Sequence, residues 1–253
     1  MISQKMVYRI LADVRRSMGV QLGERLKMNI SSNIVRKYNP GNSKQGVEMT
    51  PKDMEIKLKN DQITIQRNVK IDTNMRYSVA QQKYDLNDGD ADKSNILEYG
   101  KYVLTQRIGN CFELSCASAY KLCTHPYWSM GTIKDIKTRQ HTKVQLPVWD
   151  LVKFDAIDHI YLVIGQEPTG NSGDYENNFS NWDANAYIID AWANIGCKAR
   201  EFPVKWRERM TELDRQGYMF IGDGIKHFTS EAFLTAPVQA KVSYTHRESQ
   251  ALV

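Results

Sequence analysis

Cys111 follows Gly109-Asn110 and precedes Phe112-Glu113. The two small turn residues open room for a close approach, and a thiol at the first position of a helix sits where backbone N–H groups converge. That setting favours the thiolate and supplies donors to a developing oxyanion. Glu113 suits the electropositive first turn. The neighbouring cysteines read differently: at about 100° per residue Cys116, Ala119, Tyr120 and Cys123 share one stripe expected to be buried, and Cys111 lies off it. The competing reading of Cys111 is a small buried hydrophobe, the commonest fate of a free cysteine.

A nucleophilic thiol needs a base held in one tautomer. The chain offers His125, His141, His159, His227 and His246. Of these, only His159 opens a strong strand pattern, Asp158-His159-Ile160-Tyr161-Leu162-Val163-Ile164, whose alternation puts His159, Tyr161 and Val163 on one face. A strand start fixes a ring to the tolerance that catalysis requires. His125, beside Pro126, and His141, in a polar stretch, read as loop residues. The third member is expected to be a carboxylate. Asp190 closes the next apolar run, Ala186-Tyr-Ile-Ile-Asp190, so pairing of the two runs as a hairpin lays it beside His159. Asp158 points to the opposite face and does not suit this role. Taken alone, Asp190 is equally a turn residue at a strand end.

The elements that must position these groups follow from periodicity. Residues 157–165 and 186–190 read as buried strands joined by a Gly-, Asn-, Ser- and Asp-rich connection over 166–185, either a substrate-selecting flap or a surface excursion. A helix from Ser94 or Asn95 stops at Gly109-Asn110, and a second starts at or just after Cys111. Met6, Ile10, Leu11 and Val14 predict an amphipathic helix from Gln4 to Met18. Residues 31–53 carry turn chemistry and read as a linker, 54–72 as short strands, and Asn87-Asp88-Gly89-Asp90 as a boundary. Ala191–Cys197 reads as a turn region. Val204–Gln216 reads as a helix with Trp206, Met210 and Leu213 on one face, and the polar tail after Lys241 as loose.

Together, Gly109-Asn110-Cys111-Phe112-Glu113, Asp158-His159 through Gly165, and Ile188-Ile189-Asp190-Ala191-Trp192 resemble the papain-like and transglutaminase-like cysteine hydrolase superfamily, most of all its bacterial toxin and effector branch. The resemblance covers about residues 95–197. It implies an α+β fold with a nucleophile helix packed on an antiparallel sheet, and a triad of Cys111 as nucleophile, His159 as base and Asp190 as orienting acid. Gln106 is the implied side-chain donor to the oxyanion hole, beside the Cys111 N–H. The implied activity is deamidation of a glutamine side chain of a host protein, with a cysteine protease or a transglutaminase as alternatives on the same triad. No cofactor and no metal are implied. The chain departs from the papain pattern, lacking the second cysteine three residues after the nucleophile, and carries Phe112 where animal transglutaminases carry Trp.

Composition sets the outer bounds. With 253 residues, 42% hydrophobic and 25% charged, the chain suits an ordinary globular protein, and no apolar run reaches the length of a membrane span. Residues 1–60 hold 12 Lys/Arg against 5 Asp/Glu, and the remainder holds 22 against 24. The basic excess is spread out and has only Tyr8 and Tyr38 for stacking, so nucleic acid is not the expected partner. From a different class, the chain reads as a non-catalytic module docking an acidic partner through this basic quarter. Four cysteines are too few for a disulfide framework, and Cys111, Cys116, Cys123 and His125 match no structural zinc spacing. Free thiols and the lack of a Sec-type leader suit delivery into a host cytosol or, alternatively, residence in a bacterial cytoplasm. The expected division is an N-terminal region of helix and short strands over 1–90 and a catalytic domain over 91–253.

Overall fold

Strands β5 (His159–Ile164) and β6 (Tyr187–Asp190) form the antiparallel pair expected from their apolar runs, with Leu162 opposite Ile189 and Ile164 opposite Tyr187. Both are almost wholly buried. That degree of apolarity requires cover on both faces of the sheet, which helices supply. The computed structural model describes residues 2–18, 34–36, 93–106, 109–130, 132–134, 141–154, 157, 159–167, 175–222, 224–235 and 240–246.

The fold is α+β. A five-stranded antiparallel sheet has the order β10 (Ala240–His246), β4 (Trp149–Phe154), β5, β6, β7 (Ile195–Lys198). Against it pack α1 (Gln4–Ser17), α3 (Cys111–Cys123) and α4 (Phe202–Arg215), and α2 (Lys93–Gln106) packs on α3. A three-stranded sheet joins β1 (Ile34–Arg36), β8 (Tyr218–Gly222) and β9 (Gly224–Lys226), and β2 (Thr132–Lys134) pairs with β3 (His141–Lys143) as a ribbon. A short helix α5 (Glu231–Thr235) brings Phe233 into an aromatic cluster with Phe220 and Phe228. No helix among the described residues is long and apolar enough to cross a membrane.

α3 is the central helix. Leu114, Ser115, Cys116, Ala117, Ser118, Ala119 and Leu122 are all buried, so its covered surface is broader than one stripe, while Tyr120 and Cys123 of the expected stripe are only half-buried. α2 presses against it through Gly100, where a Cβ would lie 2.2 Å from the Cys116 carbonyl oxygen. Helix α1 starts at Ser3, whose hydroxyl accepts from the Met6 N–H, and lays Val7 and Leu11 on β7 at Gly196. Although α1 lies on the N-terminal side of residue 90, Val7, Ile10, Leu11 and Val14 belong to the same core as the sheet.

Several expectations are corrected. Ala191–Cys197 is a turn only as far as Asn194, whose φ of 61° Asn tolerates, and then becomes β7. The tail after Lys241 is not loose as far as His246: β10 pairs with β4 and forms a sheet edge. His141 opens a strand, not a loop, and Ile34–Arg36 within the supposed linker pairs with β8. Strand β4 had no expectation, because Asp150 and Lys153 interrupt its apolar pattern. In the fold Asp150 is fully buried and accepts a hydrogen bond from the Tyr175 hydroxyl. The expected strands over 54–72 and the boundary at 87–90 lie outside the described residues.

The second half of the 166–185 connection is packed. Phe179 stacks on Trp182 with ring centroids 4.4 Å apart, the Trp182 indole N–H donates to the Glu176 carbonyl, and the Asp183 N–H donates to Gln166 Oε1. It leaves the hairpin at the Ile164–Tyr187 end. That end is about 16 Å along β5 from His159.

Candidate active site

Cys111 is the first residue of α3, as its Gly-Asn prefix predicts, and is half-buried. Glu113 fixes that helix start: Oε2 accepts from the Asn110 N–H at 2.7 Å, and Oε1 accepts from the buried Tyr99 hydroxyl at 3.1 Å. Such a reciprocal cap satisfies donors that the first turn cannot pair within the helix. Gly109 makes room for it, since a Cβ there would lie 2.4 Å from Glu113 Cβ. One turn further, the Ser115 hydroxyl shares its proton between the carbonyls of Cys111, at 2.8 Å, and Ile160, at 3.0 Å. The helix start is thereby tied to the strand that carries the histidine.

His159 is the first residue of β5 and only 3% exposed. Its Nε2 lies 2.8 Å from Asp190 Oδ2, across the β5–β6 pair. The Cys111 thiol is hydrogen-bonded to the same ring, which leaves Nδ1 as the nitrogen for sulfur once Nε2 is engaged. The three side chains therefore form one hydrogen-bonded line, thiol to imidazole to carboxylate. Trp192 and Trp206 lie against the ring at centroid distances of 4.8 and 5.0 Å and keep water from the His159–Asp190 bond. Tyr161, two positions along β5, packs on Phe202 of the same helix as Trp206, so the alternation places both residues towards α4.

Electrostatics follow from this enclosure. Burial alone lowers the proton affinity of His159, but the charge and hydrogen bond of Asp190, with the added hydrogen bond and charge of Cys111, outweigh it and push the pKa up to about 10. The Asp190 carboxylate thereby favours the protonated form of the ring. Burial pushes the other core thiols the opposite way from a reactive cysteine: Cys116 rises through desolvation and the charge of Glu113, and Cys197 reaches about 12.

Asp190 is 1% exposed, and its second oxygen accepts from the Ala193 N–H at 2.9 Å. The turn after it is held from behind by two guanidinium groups. Arg15 Nη1 donates to the Ala191 carbonyl at 2.9 Å and Arg209 Nε to the Ala193 carbonyl at 2.8 Å. Sequence reading missed both arginines and Ser115. The signal for Arg15 is its place on the apolar stripe of α1, four residues after Leu11, where a charged residue needs a buried partner.

Cys111, His159 and Asp190 are thus brought together. Gln106 is the last residue of α2; its side chain and all of Asp158 lie outside the described residues. His125 lies just past the far end of α3, where Nδ1 accepts from the Tyr127 N–H, and His227 pairs with Asp214 on the surface. Comparison with protein families, with curated proteins and with solved structures found no match to this chain.

Proposed function

We propose that this protein is a thiol-dependent acyl-transfer enzyme with Cys111 as nucleophile, His159 as acid and base, and Asp190 as its orienting partner. The observation that carries the reading is the buried His159–Asp190 hydrogen bond of 2.8 Å, with the Cys111 thiol bonded to the same ring at a helix start. A buried histidine serving only the core needs neither a thiol on its second nitrogen nor a nucleophile-bearing helix aimed at it.

The reaction we assign is hydrolysis of a glutamine carboxamide in a protein, supported by the likeness of the three motifs to the papain-like and transglutaminase-like effector enzymes. Cys111 sulfur attacks the amide carbon, and the oxyanion accepts hydrogen bonds from the Cys111 N–H and, by that likeness, from the Gln106 amide. The His159 imidazolium gives its proton to the leaving nitrogen, ammonia departs and a thioester remains. Water, deprotonated by His159, then releases a glutamate side chain and restores the thiol. Asp190 holds the ring through both proton transfers and keeps the imidazolium favourable. Four free cysteines suit action in a reducing compartment, which we propose to be a host cell's cytosol.

The test is incubation of the protein with a cytosolic protein extract, reading released ammonia and substrate mass, with Cys111→Ala as control. Ammonia with a gain of about 1 Da per modified residue supports the reading, since amide becomes acid. New peptide termini instead point to a protease, and amine incorporation to a transglutaminase. No thiol-dependent change in any of the three leaves a binding module and overturns the enzyme. His159→Ala is expected to abolish turnover with the fold retained.

A further inference from the structure

The turn that carries Asp190 is held by side chains from two distant helices. Arg15, on α1, is 6% exposed, and its guanidinium donates to the Ala191 carbonyl inside the core. Arg209, on α4, is half-buried and donates to the Ala193 carbonyl. Ala193 in turn donates its N–H to Asp190 Oδ1, so the peptide units on both sides of Trp192 are fixed to the carboxylate and to the two cations. Burying a guanidinium costs more than one neutral hydrogen bond returns, so a purely structural need for a donor at Ala191 is poorly met by arginine. What a cation adds there is charge beside a carboxylate that has lost its water.

We propose that Arg15, assisted by Arg209, is a positioning residue of the triad: it holds the Ala191–Asn194 turn so that Asp190 faces His159. This rests on the reading of Cys111, His159 and Asp190 as a triad, and it gives the N-terminal helix a role in the chemistry. The groups that face the His159–Asp190 pair are Cys111 from α3, Tyr161 from β5, Cys197 from β7, Arg15 from α1 and Arg209 from α4. Burial and the nearby Arg209 lower the Arg15 pKa to about 10, partly offset by Asp190, so it stays cationic at neutral pH. The charges that act on His159 are those of Asp190 and Cys111. An Asp190 carboxylate turned away from the ring no longer supports an imidazolium. Loss of the turn's grip therefore pushes towards a neutral ring and a less reactive Cys111.

The experiment is the rate of Cys111 alkylation by iodoacetamide against pH, in the full chain, for wild type, Arg15→Met and Arg15→Lys, with melting temperature measured in parallel. Wild type is expected to react with a midpoint well below that of a free thiol. Arg15→Met is expected to raise the midpoint by about one pH unit, a tenfold loss of rate on the acid side. Arg15→Lys, which keeps charge and a donor, is expected to recover part of it. A folded Arg15→Met with the wild-type midpoint overturns the proposal even if its melting temperature falls, because a merely structural arginine moves stability alone. If Arg15→Met does not fold, Arg209→Met carries the same test from the other side of the turn, and an unmoved midpoint there overturns the proposal. A wild-type midpoint equal to that of a free thiol is a separate result: it removes the triad itself.

Discussion

His159 Nε2 and Asp190 Oδ2 stand 2.8 Å apart at the end of two neighbouring strands, in a spot that water barely reaches. The relationship fixes which ring nitrogen is left for Cys111. It also stores an ionic contact whose strength depends on pH. The net effect raises the His159 pKa above the usual 6.5 to about 10, so its contribution to stability is fully present below pH 6.5 and is lost as pH rises towards 10. Urea unfolding of wild type and Asp190→Asn between pH 6 and 10 checks this. The stability gap between them is expected to shrink by up to about 5 kcal/mol across that window.

Thiol selectivity is the most direct consequence of the enclosure. Alkylation at neutral pH followed by peptide mass mapping is expected to place the label on Cys111 well ahead of Cys116 and Cys197, whose thiols burial holds protonated. Half-buried Cys123, at the far end of α3 from Cys111, is expected to follow. Equal labelling of Cys111 and Cys123 counts against an activated nucleophile.

Ser115 joins the nucleophile helix to the base strand through one hydroxyl. Ser115→Ala is expected to cost about 1–2 kcal/mol in denaturant unfolding, the usual effect of losing a buried hydrogen bond. It is also expected to slow Cys111 alkylation several-fold, since the helix start is no longer tied to β5. An unchanged rate assigns the hydroxyl to stability alone.

The helix start itself depends on Gly109. Gly109→Ala drives a methyl group into Glu113 Cβ and displaces the side chain that caps Asn110. The expected loss is about 1–3 kcal/mol by thermal unfolding, together with lower Cys111 reactivity.

Tyr175 provides the contrasting case. Its hydroxyl donates to the fully buried Asp150, and burial with that carboxylate's charge keeps the phenol protonated far above its ordinary range. Tyr175→Phe leaves a buried carboxylate short of a donor, at an expected cost of about 2–3 kcal/mol. Because Tyr175 bonds Asp150, which stands opposite Val163 rather than His159, the Cys111 alkylation rate in the folded variant is expected to match wild type. A slowed rate makes the connection part of the site.

Much of the site was legible because its members sit where local rules are strongest. Cys111 follows a helix-start signature, His159 opens a strand of continuous apolar residues, and Asp190 ends the next. The hairpin that joins the last two needs only strand pairing. What stayed hidden depends on distant packing. Asp150 masks β4 because its partner, Tyr175, comes from the far connection. The polar tail reads as loose because β10 draws its order from pairing with β4. Arg15 and Arg209 reach the Asp190 turn from opposite ends of the chain, and no window of sequence contains that meeting.

The docking of α1 on β7 has a consequence during synthesis. The helix is made before the strand on which Val7 and Leu11 rest, so on a growing chain its apolar side waits uncovered until Ile195–Lys198 has been added. Arg15 finds its carbonyl only once Ala191 has emerged, and Arg209 later still. Assembly of the reactive centre is thereby deferred until the chain has been made through Arg209.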